Sequence, residues 1–102
     1  MNLTAHFTEE EFLRTRSGLP NALPAGFRVR LVRVATKLER AREILGVPLI
    51  VSQDGGYRAP AVNHWAKGST TSAHMFALAA DWNPQNMDRE WAFRKLWADF
   101  HW

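Results

Sequence analysis

Cysteine is absent from the 102 residues of this chain, and so is any apolar run long enough to cross a membrane. The lack of thiols excludes a disulfide framework and every thiolate metal site, so a bound metal must take nitrogen and oxygen ligands. The first residues also lack the basic-then-apolar pattern of a secretory signal. We therefore expect one globular domain over 1–102, cytoplasmic as synthesised and without a membrane partner.

The sequence contains no glycine-rich phosphate loop and no recognisable nucleic-acid-binding motif. Its net charge of +3 and pI near 10 do favour polyanionic surroundings. Four cations recur at helical spacing, and they could either follow a phosphate backbone or form an ordinary solvated face: Arg30, Arg33, Lys37 and Arg40. Glu39 and Glu43 lower the net positive charge of this region, which favours an ordinary solvated face. Nucleic acid is therefore not an expected partner.

Hydrophobic residues make up 46% of the chain, including five tryptophans, which predicts a folded core. A capping box that begins at Thr8 predicts a first helix over 8–15. Apolar residues three and four apart predict a second helix over 25–45. The β-rich run 47–52 predicts a strand, and the proline in 59–66 predicts a short helix.

The last third of the chain is predicted to hold two adjacent extended segments, 72–76 and 77–82, followed by a helix. Asn83, Pro84 and Asn86 are expected to break the second segment, and Asn86 or Asp88 to cap the helix. Four residues of that helix lie at i, i+3, i+4 and i+7 and predict one core-facing side: Phe93, Leu96, Trp97 and Phe100. The predicted fold class is therefore α+β, with a small antiparallel sheet packed against helices.

Two candidate metal ligands lie seven positions apart in the segment SAHMFALAAD, which runs from Ser72 to Asp81. His74 and Asp81 are residue types that bind zinc, through an imidazole nitrogen and a carboxylate oxygen. A carboxylate at the end of a short buried strand would be costly without a compensating cation or base. The alternative is a core histidine, hydrogen-bonded to Asp81 with no metal between them.

Three ordered motifs resemble the zinc D-alanyl-D-alanine carboxypeptidase and L-alanyl-D-glutamate endopeptidase family, which includes phage endolysins. Ser72, His74 and Asp81 match the S-x-H-x-x-G-x-A-x-D pattern, with Ala77 in place of its glycine. Upstream, GYRAPAVN resembles the S-G-Y-R-S-x-x-x-N segment, and KGSTTSAH resembles G-G-S-x-x-S-x-H. The opening LTAHFTEEEF is similar to the start of short phage-type members.

This resemblance implies a catalytic zinc ion with His74 and Asp81 as ligands. It further implies that Arg58 polarises the scissile carbonyl or holds a substrate carboxylate, and that Ser72 contacts substrate or supports a ligand. The residue-level alternatives are a salt bridge of Arg58 with Asp54 or Asp81, and a turn role for Ser72.

A hydrolytic zinc site needs a third protein ligand and an open position for water. No W-x-H or E-x-x-H motif follows Asp81, and His101 is the remaining downstream histidine. One interpretation takes His101 as the third metal ligand and Asp99 as the acidic residue beside it that handles the proton of the water. Helical spacing would set these two residues about 200° apart, so the helix must end before them. The other interpretation is that the last strand and the catalytic power are both lost.

The leading functional hypothesis is a zinc peptidase that cuts a stem-peptide bond of peptidoglycan, such as D-Ala-D-Ala or L-Ala-D-Glu. Such an enzyme would be phage-associated and would reach the cell wall after release from the cytoplasm. The rival hypothesis is an inactive peptidase-fold protein that binds or inhibits a host protein or nucleoprotein complex. The aromatic C-terminal helix would then supply the interface to a protein partner.

Overall fold

The computed structural model of the protein describes residues 1–99, with Asp99 described by its backbone alone. The described part forms four α-helices, one 3₁₀ helix and two short strands. In chain order these are α1 Glu9–Leu13, α2 Arg28–Leu45, β1 Leu49–Val51, α3 Pro60–Trp65, the 3₁₀ helix Ala73–Phe76, β2 Trp82–Pro84 and α4 Arg89–Asp99. The α+β prediction is confirmed, and the assignment of 1–102 to a single domain stays a prediction.

The long helix α2 supplies one wall of the core. Its buried residues recur at three and four and form a single stripe: Leu31, Ala35, Leu38, Ala41 and Leu45. Gly46 ends the helix in a left-handed conformation, with its N–H bonded to the carbonyl of Arg42. Because each fully buried leucine contributes about 1.5–3 kcal/mol, this stripe is a large part of the fold's stability.

The predicted capping box at the start of α1 is confirmed. The side chain of Thr8 accepts a hydrogen bond from the N–H of Glu11, and the Glu11 carboxylate accepts one from the N–H of Thr8. The rings of Phe7 and Phe12 lie 6.4 Å apart on either side of this cap, and both are buried. This short helix therefore attaches to the core at its first turn.

Helix α1 is shorter than the predicted range 8–15 because Arg14 takes an extended conformation. The guanidinium of Arg14 donates to the carbonyl of Val51 at 2.7 Å, and its own carbonyl accepts from the N–H of Asp54 at 2.8 Å. These two bonds tie the chain after α1 to β1 and to the loop that follows it.

The two strands pair antiparallel, with Val51 opposite Trp82, Ile50 opposite Asn83 and Leu49 opposite Pro84. The prediction that Asn83 and Pro84 break this strand is wrong. Pro84 sits at the end of the ladder, where its missing N–H removes no central hydrogen bond. The strand thus begins at Trp82, five residues later than predicted.

The predicted extended segment 72–76 is a 3₁₀ helix instead. The Ser72 hydroxyl accepts the N–H of His74 at 3.2 Å and caps the first turn of that helix. At its other end Ala77 adopts φ 55°, a left-handed conformation that bends the chain into the extended residues 78–81. Since glycine takes this conformation without strain, the turn explains why the resembling pattern carries glycine here.

Helix α4 packs against α2 and β2 through a narrower face than the sequence predicted. Asp88 caps it by accepting the N–H of Trp91 at 3.0 Å, as expected. Ala92 and Leu96 are buried, whereas Phe93 is half exposed and the Trp97 side chain is 84% exposed. The prediction that Phe93 and Trp97 face the core is therefore wrong. Phe100, which was predicted to face the core as well, lies outside the described residues.

Across residues 1–99, none of the helices has both the length and the apolar character needed to cross a bilayer.

Candidate functional site

The imidazole of His74 is held by a backbone carbonyl of the glycine turn after β1. Its Nδ1 lies 2.9 Å from the carbonyl oxygen of Gly56, and the side chain is 14% exposed. A carbonyl oxygen can only accept a hydrogen bond, so Nδ1 carries the proton. In the neutral ring this leaves Nε2 as a free acceptor, which is the state that a metal-binding imidazole requires.

The backbone of Asp81 is held on both sides by the chain that follows β1. Its N–H donates to the carbonyl of Gly55 at 2.7 Å, and its carbonyl accepts from the N–H of Ser52 at 2.9 Å. The side chain, however, is 61% exposed. The expectation of a carboxylate in a buried apolar setting is wrong, because burial applies to the flanking Ala77 and Trp82 and not to Asp81.

The two candidate ligands face each other across a gap. His74 Nε2 and Asp81 Oδ2 are 3.6 Å apart, which is longer than a hydrogen bond. A tetrahedral ion with bonds of about 2.0–2.1 Å places neighbouring ligand atoms about 3.3–3.4 Å apart. The 3.6 Å distance between these two acceptor atoms is therefore close to the distance between two neighbouring ligands of a tetrahedral zinc ion. The donor types and their spacing fit two of the three ligands that a catalytic zinc needs.

Arg58 lies beside this pair and is fixed at three points. Its Nε donates to the carbonyl of Asp54 at 2.7 Å, and its Nη1 donates to Oδ1 of Asn63 at 3.3 Å. Its Nη2 lies 3.8 Å from Asp81 Oδ2, and the side chain is 15% exposed. The ion pair with Asp81 that the sequence offered as an alternative is present, whereas Asp54 contributes its carbonyl rather than its carboxylate.

Asn63 positions Arg58 and was not singled out for this role from the sequence. It is 3% exposed, and its Nδ2 donates to the carbonyl of Ser69 at 2.9 Å. A Cβ at Gly68 would collide with the Asn63 side chain and lie 3.0 Å from Nη1 of Arg58. The signal was in the sequence, since Asn63 closes the GYRAPAVN motif that contains Arg58.

The turn after β1, whose carbonyls contact Arg58 and His74, has a strained backbone and packs closely against α1. Asp54 is buried with φ 60°, and its Oδ2 accepts the N–H of Arg16 at 3.2 Å. A Cβ at Gly56 would lie 2.5 Å from Cα of Phe12. The glycine at this position therefore lets the turn approach α1 closely while its carbonyl faces His74.

Three further residues were predicted to belong to the site: Ser72, Asp99 and His101. Ser72 caps the 3₁₀ helix that carries His74, so its hydroxyl supports the segment of that candidate ligand. Asp99 is the last residue of α4, and its side chain is not described. His101 lies outside the described residues. Among the side chains that the structure describes, those of residues 1–98, histidine, aspartate and glutamate do not form a group of three that could hold a metal ion.

Two clefts adjoin residues of the candidate site: Asp81 lines one of them, and Asn63, which bonds Arg58, lines the other. One, of about 440 Å³, is lined by polar groups that include Asp81 and Arg89. The other, of about 470 Å³, lies between α3 and the 3₁₀ helix and is lined mainly by apolar surface, with His64 at its edge.

Comparison with known proteins identifies the family of this chain. Searches of curated proteins and of solved structures find no similar chain. A family model described as Peptidase M15 matches residues 5–98, which include all three motifs together with Arg58, His74 and Asp81. The chain therefore belongs to the Peptidase M15 family.

Proposed function

We propose that the protein is a zinc-dependent peptidase that hydrolyses a stem-peptide bond of peptidoglycan, either D-Ala-D-Ala or L-Ala-D-Glu. The observation that carries this proposal is the 3.6 Å approach of His74 Nε2 and Asp81 Oδ2, both of them acceptor atoms, beside a guanidinium. Peptidases of this family are generally zinc-dependent. The substrate class rests on the resemblance of the three motifs to peptidoglycan-cleaving members.

In this proposal His74 and Asp81 hold the ion. The Gly56 carbonyl keeps the proton of the neutral His74 ring on Nδ1, so Nε2 is free to bind a metal ion. Asp81 would contribute one negative charge from a side chain that is 61% exposed and therefore open to solvent and substrate. When bound, zinc supplies a Lewis acid that activates water for attack on a carbonyl.

Arg58 would stabilise the negative charge that develops on the scissile carbonyl oxygen. Its bonds to the Asp54 carbonyl and the Asn63 side chain fix the guanidinium before substrate arrives. A donor that is already oriented needs no rearrangement during the reaction, which is the basis of electrostatic catalysis. Removing one such donor typically lowers kcat by about 10²–10³.

His101 as third ligand and Asp99 as general base complete the proposed machinery. Both are proposed by residue type and position in the sequence, because Asp99 is the last residue of α4 and His101 is the histidine that follows Asp81. We also propose that the protein is phage-associated and acts on the cell wall after release.

A second candidate function is a peptidase-fold binding module without catalysis. It is favoured by the aromatic side chains that α4 leaves exposed, since Trp91, Phe93 and Trp97 are each more than half accessible. Exposed aromatic residues are frequent anchors of protein interfaces.

The test of the leading function is mass spectrometry of peptides released from purified sacculi. The protein loaded with zinc is compared with its His74→Ala and Arg58→Ala variants, with His6→Ala as a control that removes an exposed histidine elsewhere. We expect new stem-peptide termini from the native protein and from His6→Ala, and at least a 100-fold loss in the other two. Equal product from His74→Ala would contradict a zinc mechanism, and the absence of product from every form would favour the binding module.

A further inference from the structure

A polar cleft lies between β2 and the start of α4 and opens next to the candidate zinc ligands. Its volume is about 440 Å³. Its polar wall is formed by Ser52, Asp81, Asn83 and Arg89, and its apolar floor by Trp82 and Phe93. The rings of Trp82 and Phe93 are in contact, with centroids 5.6 Å apart, so the floor is continuous. Asp81 lines the cleft and is also a candidate zinc ligand. A molecule in this cleft would therefore also touch the candidate metal site.

Arg89 presents an exposed guanidinium to this cleft. Among the described side chains, which end at residue 98, no carboxylate lies at ion-pair distance from it. The two acidic residues next to it in sequence are engaged elsewhere. Asp88 accepts the N–H of Trp91, and Glu90 pairs with Arg94 at 2.7 Å. A guanidinium in a cleft without a counter-ion can accept a carboxylate in a bidentate arrangement.

Asn83 and Ser52 add further hydrogen-bond donors to the same wall. Asn83 Nδ2 donates to Ser52 Oγ at 3.1 Å. This bond uses one of the two amide hydrogens of Asn83 and leaves the Ser52 hydroxyl hydrogen free to donate. With Arg89, the wall therefore offers donors of three kinds, and its one anionic acceptor is Asp81.

From these features we infer that the cleft binds a carboxylate of the peptide substrate and that Arg89 is the residue that selects it. The inference rests on the proposed function for the identity of the substrate. In both candidate bonds the residue that supplies the leaving amine is a D-amino acid with a free α-carboxylate. It is terminal in D-alanine, and it is free in D-glutamate when the chain continues through the γ-carboxyl. One carboxylate subsite would therefore serve either cleavage.

The negative charge of Asp81 makes this subsite dependent on the cation. Without an ion, the Asp81 carboxylate repels a second carboxylate in the same cleft. A bound cation neutralises Asp81, so it should raise the affinity for the carboxylate, and by linkage the carboxylate should raise the affinity for the cation.

The test uses the smallest ligand that carries this group. N-acetyl-D-alanine and N-acetyl-D-alaninamide are titrated separately into the full chain, with and without zinc, and binding is followed by ¹H–¹⁵N NMR. The variants are Arg89→Gln and the matched control Arg33→Gln, which removes one exposed positive charge from α2. We expect the native protein and Arg33→Gln to prefer the acid over the amide by about tenfold, more strongly with zinc. Arg89→Gln should bind the two compounds equally.

The outcomes separate this inference from the proposed function. If zinc does not bind but the acid is still preferred in an Arg89-dependent way, the subsite stands and the zinc peptidase does not. If zinc binds and the acid preference survives Arg89→Gln, the carboxylate is reaching the ion directly and the inference is overturned. Equal binding of acid and amide by the native protein, or no saturable binding of the acid, also overturns it.

Discussion

The carbonyl oxygen of Gly56 accepts a hydrogen bond from Nδ1 of His74 at 2.9 Å and so turns Nε2 towards Asp81. This contact spans 18 positions of the chain and links the turn after β1 to the 3₁₀ helix. The N–H of Arg58 completes the link by donating to the carbonyl of His74 at 3.0 Å. The orientation of the candidate ligand therefore depends on the backbone of the turn.

Gly56→Ala should destabilise the protein strongly. The added Cβ would collide with the backbone of Phe12, which belongs to a helix packed in the core and cannot yield as a flexible side chain would. We expect a loss of about 2–4 kcal/mol in the free energy of unfolding, measured by urea denaturation. Gly18→Ala is the control, because nothing lies within 4 Å of its Cβ and it bears only the penalty of φ 74°. That penalty is about 1 kcal/mol, and equal losses in the two variants would refute the steric account.

Asn63→Ala should loosen Arg58 as well as destabilise the fold. The substitution leaves the Ser69 carbonyl and one Arg58 donor without partners in a site where Asn63 is almost fully buried. We expect a loss of about 1–3 kcal/mol and faster motion of the Arg58 guanidinium by NMR relaxation of its Nε. The exposed Asn2→Ala serves as control and should change stability by less than about 0.5 kcal/mol. Unchanged Arg58 relaxation in Asn63→Ala would show that Asn63 does not position it.

Glu39 should make the stability of the protein depend on pH. Burial disfavours its ionised form, but hydrogen bonds from the Thr4 hydroxyl, the His6 ring and the His6 N–H outweigh burial and lower its pKa below the ordinary 4.5. Since the folded pKa is the lower one, the stabilisation is present above pH 4.5 and is lost as pH falls through the folded value.

Glu39→Gln tests that dependence. At neutral pH the variant should be about 1–2 kcal/mol less stable, because charge-assisted hydrogen bonds are replaced by neutral ones. The difference from the native protein should shrink as the pH falls below 4.5, measured by chemical denaturation at several pH values. If the difference in stability between the variant and the native protein stayed constant down to pH 3, Glu39 would not be the source of the pH dependence. Glu43→Gln, at an exposed carboxylate paired only with Arg40, is the matched control.

Leu96 and Trp97 should respond in opposite ways to truncation, although they are neighbours on α4. Leu96 is 2% exposed in the contact between α4 and the core, so Leu96→Ala should lose about 2–4 kcal/mol of stability. Trp97→Ala should lose less than about 0.5 kcal/mol, because its side chain is mostly in solvent. Thermal unfolding would compare the two, and a large loss in Trp97→Ala would place that indole in the core.

Local signals in the sequence predicted the elements that local forces determine. The capping box at Thr8, the apolar stripe of α2 and the proline at the start of α3 each specify a helix through contacts within a few residues. Motif spacing likewise named Arg58, His74 and Asp81 together, and the fold brings the side chains of Arg58 and His74 each within 4 Å of Asp81 Oδ2.

Features set by distant packing were not predictable in the same way. The exposure of Asp81 and the start of β2 at Trp82 depend on hydrogen bonds to Ser52 and Gly55, about thirty positions earlier. The exposure of Trp97 depends on which face of α4 packs against α2. The face with Ala92 and Leu96 is the buried one. Periodicity cannot distinguish these faces when aromatic residues lie on both.

The most direct test of the account is isothermal titration calorimetry of zinc into the metal-free protein. Native protein should bind one zinc ion, His74→Ala and Asp81→Asn should each weaken that binding at least 100-fold, and His6→Ala should leave it unchanged. The same titration with His101→Ala reports whether that residue is the third ligand. Failure of the native protein to bind zinc, or unchanged binding in both His74→Ala and Asp81→Asn, would contradict the central claim that these two side chains hold a metal ion.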